Sequence, residues 1–208
     1  MKPPALSEKD KARYLAATQQ KGSVWGQQTL QWVRSAYLHA LEVATKGQEA
    51  SAAVTGMFWI RVCGVFTDIR PAIAKHVESL STMGAGPEQP ESITSQLRGL
   101  AQLCLERIDA VKAALTEDEL VYLEYRRHVE AHPWQNSYEL RLGKNGIIDT
   151  KEVFGERKSV DELNVLIRRL LLKYGVNEDA IAVELARRVV PLLSATHEAF
   201  QRYCAPVI

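Results

Sequence analysis

The sequence predicts a mainly α, single-domain bundle of six or seven helices with a β-hairpin near residues 137–154. Three observations point there. Apolar residues recur at helical spacing through most of the 208-residue chain. Helix-start and helix-stop residues punctuate that pattern, twice as full capping boxes. One stretch, "SYELRLGKNGIIDTKEVF", changes to alternating apolar and polar residues around an Asn-Gly pair. A chain of this length buries roughly 70% of its unfolded surface, so a single core spanning residues 1–208 needs no disulfides.

The elements follow in order. Residues 7–20 form a short helix opened by Ser7 and closed by Gly22, and Ser23 can cap the next. Over 23–46, Val33, Ala36, Tyr37, Ala40, Leu41 and Ala44 make one buried stripe, and Gly47 stops the helix. Residues 50–82 carry Val54, Phe58, Val62, Val65, Phe66 and Ile69 at the same spacing, and Pro71 kinks or restarts that helix. "STMGAGPEQPES" at 81–92 is a surface loop rich in Gly and Pro. Ser92 opens a helix bearing Leu97, Leu100, Ala101, Cys104, Ile108 and Val111. "TEDE" at 116–119 is a capping box: Thr116 caps, and Glu119 reaches back. Pro133 disfavours helical geometry at His132, so that helix ends about there. Asn145-Gly146 favours a tight turn for the hairpin, which needs the helices or a partner to lie against. "SVDE" at 159–162 is the second capping box, and Gly175 ends its helix. Asn177 caps the last helix, which Pro191 interrupts.

Composition narrows the function. A net charge of +1 excludes a protein that coats nucleic acid by overall charge, while leaving room for a local basic patch. Cys63, Cys104 and Cys204 are odd in number and far apart, as free thiols in a reducing compartment are; no CxxC offers a thiolate zinc site. "MKPPALSEKDKARY" lacks a signal-peptide core. "SAAVTGMFWIRVCGVFTDI" is broken by Arg61 and ends at Asp68, whereas a span needs about 20 apolar residues. It is expected as a buried core helix of a cytoplasmic protein with no membrane part. There is no GxGxxG, Walker loop or HExxH, and no cofactor is expected.

The chemistry concentrates in "LEYRRHVEAHPWQN", residues 123–136. An RNA strand carries its own nucleophile, the 2′-OH. A histidine near neutral pKa can take that proton or deliver one to the leaving oxygen. An arginine can grip a phosphate with two donors. Arg127 and His132 are five residues apart, a turn of about 140° on a helix, so Arg127 must reach round or a second protomer must complete the site. Arg34–His39, five apart, and Arg70–His76, six apart, are spaced similarly, but only Arg127–His132 adds an imidazole beside the arginine (His128), a helix end and an adjacent Pro133. His39 sits mid-helix beside Trp32, Tyr37 and Leu38, where a satisfied helix residue is expected.

"RHVEAH" resembles the motif of the HEPN superfamily, an Arg followed by a polar residue and then a His four to six positions on. That resemblance rests on residues 127–132 and implies an RNA-processing or RNA-binding protein of toxin or defence type, with an antitoxin as a protein partner. Many members are metal-independent endoribonucleases that work as homodimers with one shared cleft; others have lost catalysis and bind RNA, nucleotides or proteins. On this resemblance Arg127 binds phosphate, His132 is the acid/base and His128 supports it. Arg126, Trp134 and Tyr138 stand beside them, and aromatic rings next to arginines can stack bases. The hairpin is not part of the minimal HEPN bundle.

Two other readings use the same residues. The alternative function is a non-catalytic helical interaction module, an immunity, regulatory or assembly protein. In it Arg126, Arg127, His128 and His132 favourably terminate a helix, about 0.3–1 kcal/mol each, paired with Glu124 and Glu130. The third is a metal-binding bundle. Glu124, His128 and His132 share one helix face and suit zinc or nickel, with His39 to complete the shell, a layout similar to DinB-like bundles. The doublets Arg168-Arg169 and Arg187-Arg188 are expected as solvated helix surface.

Overall fold

The computed structural model describes residues 24–83, 91–131, 160–175 and 177–205. Among them run α1 (Val24–Lys46), α2 (Ala52–Gly64), α3 (Arg70–Met83), α4 (Glu91–Ala113), α5 (Glu117–Ala131), α6 (Val160–Tyr174) and α7 (Glu178–Cys204). A five-residue π turn, Val65–Ile69, joins α2 to α3 without a break, so these seven helices make six rods. No strand occurs among the described residues. The hairpin expected at 137–154 and the helix expected at 7–20 lie outside them.

Helix ends form where the sequence supplies caps. Thr116 and Glu119 close the expected box: the Glu119 N–H donates to Thr116 Oγ1 at 3.4 Å, and the Thr116 N–H donates to Glu119 Oε2 at 2.8 Å. Asn177 Oδ1 accepts from the Ala180 N–H at 2.9 Å. Ser51 caps α2 by accepting from the Val54 N–H at 3.3 Å. Gly47 and Gly175 take positive φ values of +60° and +145° just past α1 and α6, where a side chain would be strained.

The two internal prolines have different outcomes. Pro71 cannot donate an N–H, and its ring crowds the carbonyl one turn back. The chain absorbs this with the π turn immediately before it, in which the Arg70 N–H reaches the Val65 carbonyl, five residues back. Pro191 does not interrupt its helix as expected: α7 runs unbroken for 27 residues. Its ring faces solvent, while Val189 and Leu193 on either side are fully buried, so packing carries the helix across the missing hydrogen bond.

α7 is the mast of the bundle, lying along α1 and α4 and touching α6; α2 packs between α1 and α5. The core is aromatic where α2 meets α5. Trp59 stands edge-on to Tyr122 at 5.5 Å and against Phe58 at 4.8 Å. Gly64 lets Trp32 of α1 lie directly on α2, since a Cβ there would fall 2.7 Å from Trp32 Cζ2. The Trp32 indole N–H donates to the Arg61 carbonyl at 3.1 Å, and the Arg61 guanidinium covers the ring at 4.0 Å. Of the stripe expected on α1, Val33, Ala36 and Ala40 are buried, but Leu41 is 37% exposed. The rod Ala52–Ser81 is long and apolar enough, by length and composition, to cross a membrane; 44% of its most apolar window is buried within the bundle.

Candidate functional site

The second half of α5 delivers the candidate residues to the α2–π-turn surface. α5 is described as far as Ala131, and the helix end expected near His132 and Pro133 lies outside the described residues. Arg126, Arg127 and His128 are all half-buried, and Glu124 is exposed. Their surroundings differ. Arg126 donates to Glu130 one turn on, at 2.5 Å, in a pair with side chains 20% and 28% exposed. Glu130 lies over Gly56 of α2, where a Cβ would come within 2.8 Å of Oε2; the absent side chain makes room for the pair. Arg127 reaches across to the π turn and donates to Asp68 Oδ2 at 3.3 Å. Asp68 also accepts from the Thr67 hydroxyl at 3.1 Å.

Cys63 of α2 lies behind this contact. Burial pushes its thiol up to about 11, with Arg127 pulling the other way and Glu124 and Asp68 adding to the rise. The thiol is therefore protonated at neutral pH and packs as an apolar group. The π turn is what brings Asp68 to Arg127: the extra residue rotates the following chain and carries a carboxylate to the edge of α5.

The structure thus places Glu124, Arg126, Arg127 and His128 on α5, with Arg126 paired to Glu130 over α2 and Arg127 against the π turn. His132, Trp134 and Tyr138 lie outside the described residues. Among the described residues no group of three His, Cys, Asp or Glu side chains is placed to hold a metal ion. The trio Glu124, His128 and His132 has its last member outside them. Of the other histidines, His39 makes a 2.7 Å contact from Nδ1 to the Ser35 carbonyl in its own helix, as expected of a satisfied helix residue. His76 lies edge-on to Tyr203, and His197 stacks on Tyr37 at 6.2 Å.

The most enclosed charge in the described chain is one the sequence marked only as a cap. Glu119 is fully buried. Its carboxylate accepts from Arg188 at 2.8 Å, from Lys173 at 3.3 Å, from the Tyr174 hydroxyl and from the Thr116 N–H. Burial raises its pKa, but the donors from Arg188, Tyr174 and Thr116 outweigh that and bring it down to about 2. Arg188 also donates to the Ala114 carbonyl at 3.2 Å. The expectation that Arg188 belongs to solvated surface is corrected: it turns inward and ties α7 to the start of α5. The signal was the capping glutamate, whose second oxygen has no local donor; its partners come from helices far along the chain. This cluster joins the start of α5 to α6 and α7.

No family model, curated protein or solved structure matches the chain.

Proposed function

We propose that the chain is a HEPN-like RNA-binding or RNA-processing protein whose phosphate ligand is Arg127. The tether on that guanidinium is the observation that supports this reading most. Arg127 and Asp68 meet at 3.3 Å with side chains 34% and 51% exposed. A solvent-facing pair of this kind is worth about 0–1 kcal/mol. A phosphate accepts two charge-assisted donors from one guanidinium, so it displaces Asp68 readily. Arg126 is held more tightly and in less solvent, and keeps the helix in place. The Asp68 carboxylate holds Arg127 extended toward the π turn until RNA arrives.

On this reading His132, which follows α5 in the sequence, takes the 2′-OH proton. The 2′ oxygen attacks the adjacent phosphorus to close a 2′,3′-cyclic phosphate, the bond from phosphorus to the 5′ oxygen breaks, that oxygen takes up the proton His132 received, and Arg127 stabilises the charge on the phosphoryl oxygens. No metal is required. His128 supports the acid/base, and Trp134 and Tyr138 stack bases. A second copy of the chain completes the cleft, and a protein partner of antitoxin type restrains it. The test is incubation of the purified chain with total RNA in EDTA beside the His132→Ala and Arg127→Ala variants. Cleavage by the wild type alone is expected; no cleavage at any enzyme concentration removes the nuclease and leaves at most RNA binding.

A second reading, the non-catalytic helical interaction module, has its own support. Arg126 and Arg127 both have carboxylate partners within the bundle. Meanwhile α6 presents two large aliphatic side chains to solvent: Val165 is 55% exposed and Leu172 is 88% exposed. Pull-down of a single stoichiometric protein partner by the wild type and equally by Arg127→Ala favours this reading; partner loss in Arg127→Ala counts against it.

A further inference from the structure

α6 has two faces. Leu163, Leu166 and Leu170 are buried toward α5 and α7. Val165 and Leu172 lie on the opposite side, seven residues apart and therefore on one stripe. Arg168 and Arg169 fall between them at i+3 and i+4 from Val165, one on each flank of that stripe. The helix opens on Asp161 and Glu162, and from Leu163 to Tyr174 it carries Arg168, Arg169 and Lys173 and no further carboxylate. Arg169 meets Asp118 of α5 at 2.9 Å, yet its side chain stays 59% exposed, and Arg168 is exposed as well. The surface is aliphatic along its centre and positive along its edges.

We infer that the outer face of α6 docks an acidic amphipathic helix of a partner protein. The inference rests on the interaction-module reading and names its surface and partner class. Aliphatic residues at i and i+7 with charges at the intervening positions form one side of a helix–helix seam. The partner supplies aliphatic side chains opposite Val165 and Leu172 and carboxylates opposite Arg168 and Arg169. The charge pattern selects the sign of the partner and speeds encounter, and burial of Leu172 supplies the affinity. Nucleic acid fits the arginines but gains nothing from the two aliphatic side chains, so the stripe favours protein.

The test uses the full chain and a fluorescein-labelled helical peptide of about three heptads, with Leu at its seam and Glu on both flanks. A peptide of the same composition in scrambled order is the control, and binding is read by anisotropy. The patterned peptide is expected to bind at least about tenfold more tightly than the scrambled one. Leu172→Asp should weaken binding about tenfold or more, and Arg168→Glu should weaken it and flatten its salt dependence. Leu172 is exposed, so far-UV circular dichroism and the melting temperature should not change. Binding that survives Leu172→Asp overturns this surface while leaving the interaction reading in place. No binding of either peptide overturns the inference; if the chain also pulls down no stoichiometric partner, the interaction reading falls with it. Displacement of the peptide by single-stranded RNA assigns the face to nucleic acid and overturns the inference.

Discussion

Replacing Glu119 by alanine removes the acceptor at which α5, α6 and α7 meet. The Arg188 guanidinium, 31% exposed, then loses the partner it has at 2.8 Å. Breaking one side of an enclosed ion pair costs about 3–5 kcal/mol. The lowered pKa of Glu119 expresses the same contacts in another form. A fall from the ordinary 4.5 to about 2 corresponds to roughly 3 kcal/mol of preferential stabilisation of the charged form. Loss of the reciprocal cap on Thr116 adds about 1 kcal/mol. Lys173, 51% exposed, adds little. Glu119→Ala should therefore lower the urea midpoint at an unchanged slope and reduce the melting temperature by roughly 8–20 °C for a chain of this size. The pH dependence carries the sign. A carboxyl whose pKa is lower in the folded state stabilises the fold above its unfolded value. That contribution is lost as pH falls from about 4.5 toward about 2. Glu119→Gln keeps the shape but should show a flatter loss of stability over that window. A melting temperature within about 2 °C of wild type for Glu119→Ala, or the same acid profile for Glu119→Gln, refutes the reasoning.

Three further outcomes follow from the packing. Gly64→Ala places a Cβ 2.7 Å from a Trp32 ring held by Arg61, so urea denaturation should show a loss of about 1–3 kcal/mol. Pro191→Ala restores a donor on the exposed face of α7 and should raise stability by about 1–3 kcal/mol; a fall would mean that the proline ring makes a needed contact. Burial pushes the Cys63 and Cys104 thiols up to about 11 and about 12, so a thiol-reactive dye should label the native chain at Cys204 first and reach all three only after denaturation.

What the sequence disclosed was local. Capping boxes and stop glycines act within one turn of backbone, so Thr116, Glu119, Asn177, Gly47 and Gly175 could be placed from neighbours alone. Prolines were harder because their effect depends on what flanks them in space. Pro71 forces a π turn, whereas Pro191 is overridden by the buried Val189 and Leu193. Arg188 and Arg187 are adjacent and look alike, yet one turns inward to Glu119 and the other stays exposed. Nothing in the doublet tells them apart, since the deciding partner is on another helix. Likewise Arg127 stood out by the imidazole beside it and the adjacent Pro133 rather than by spacing, but Asp68, which holds it, is distant in sequence and lies in the π turn.

On the proposed function, Arg127 gives up Asp68 for a phosphate. Anisotropy of a fluorescein-labelled single-stranded RNA measures it most directly, with Arg127→Ala compared against Arg107→Ala, an exposed arginine on α4. Loss of a charge-assisted phosphate contact should weaken binding about tenfold in Arg127→Ala and reduce its salt slope, with Arg107→Ala close to wild type. Equal affinity for wild type and Arg127→Ala, or no RNA binding by the wild type, contradicts the account.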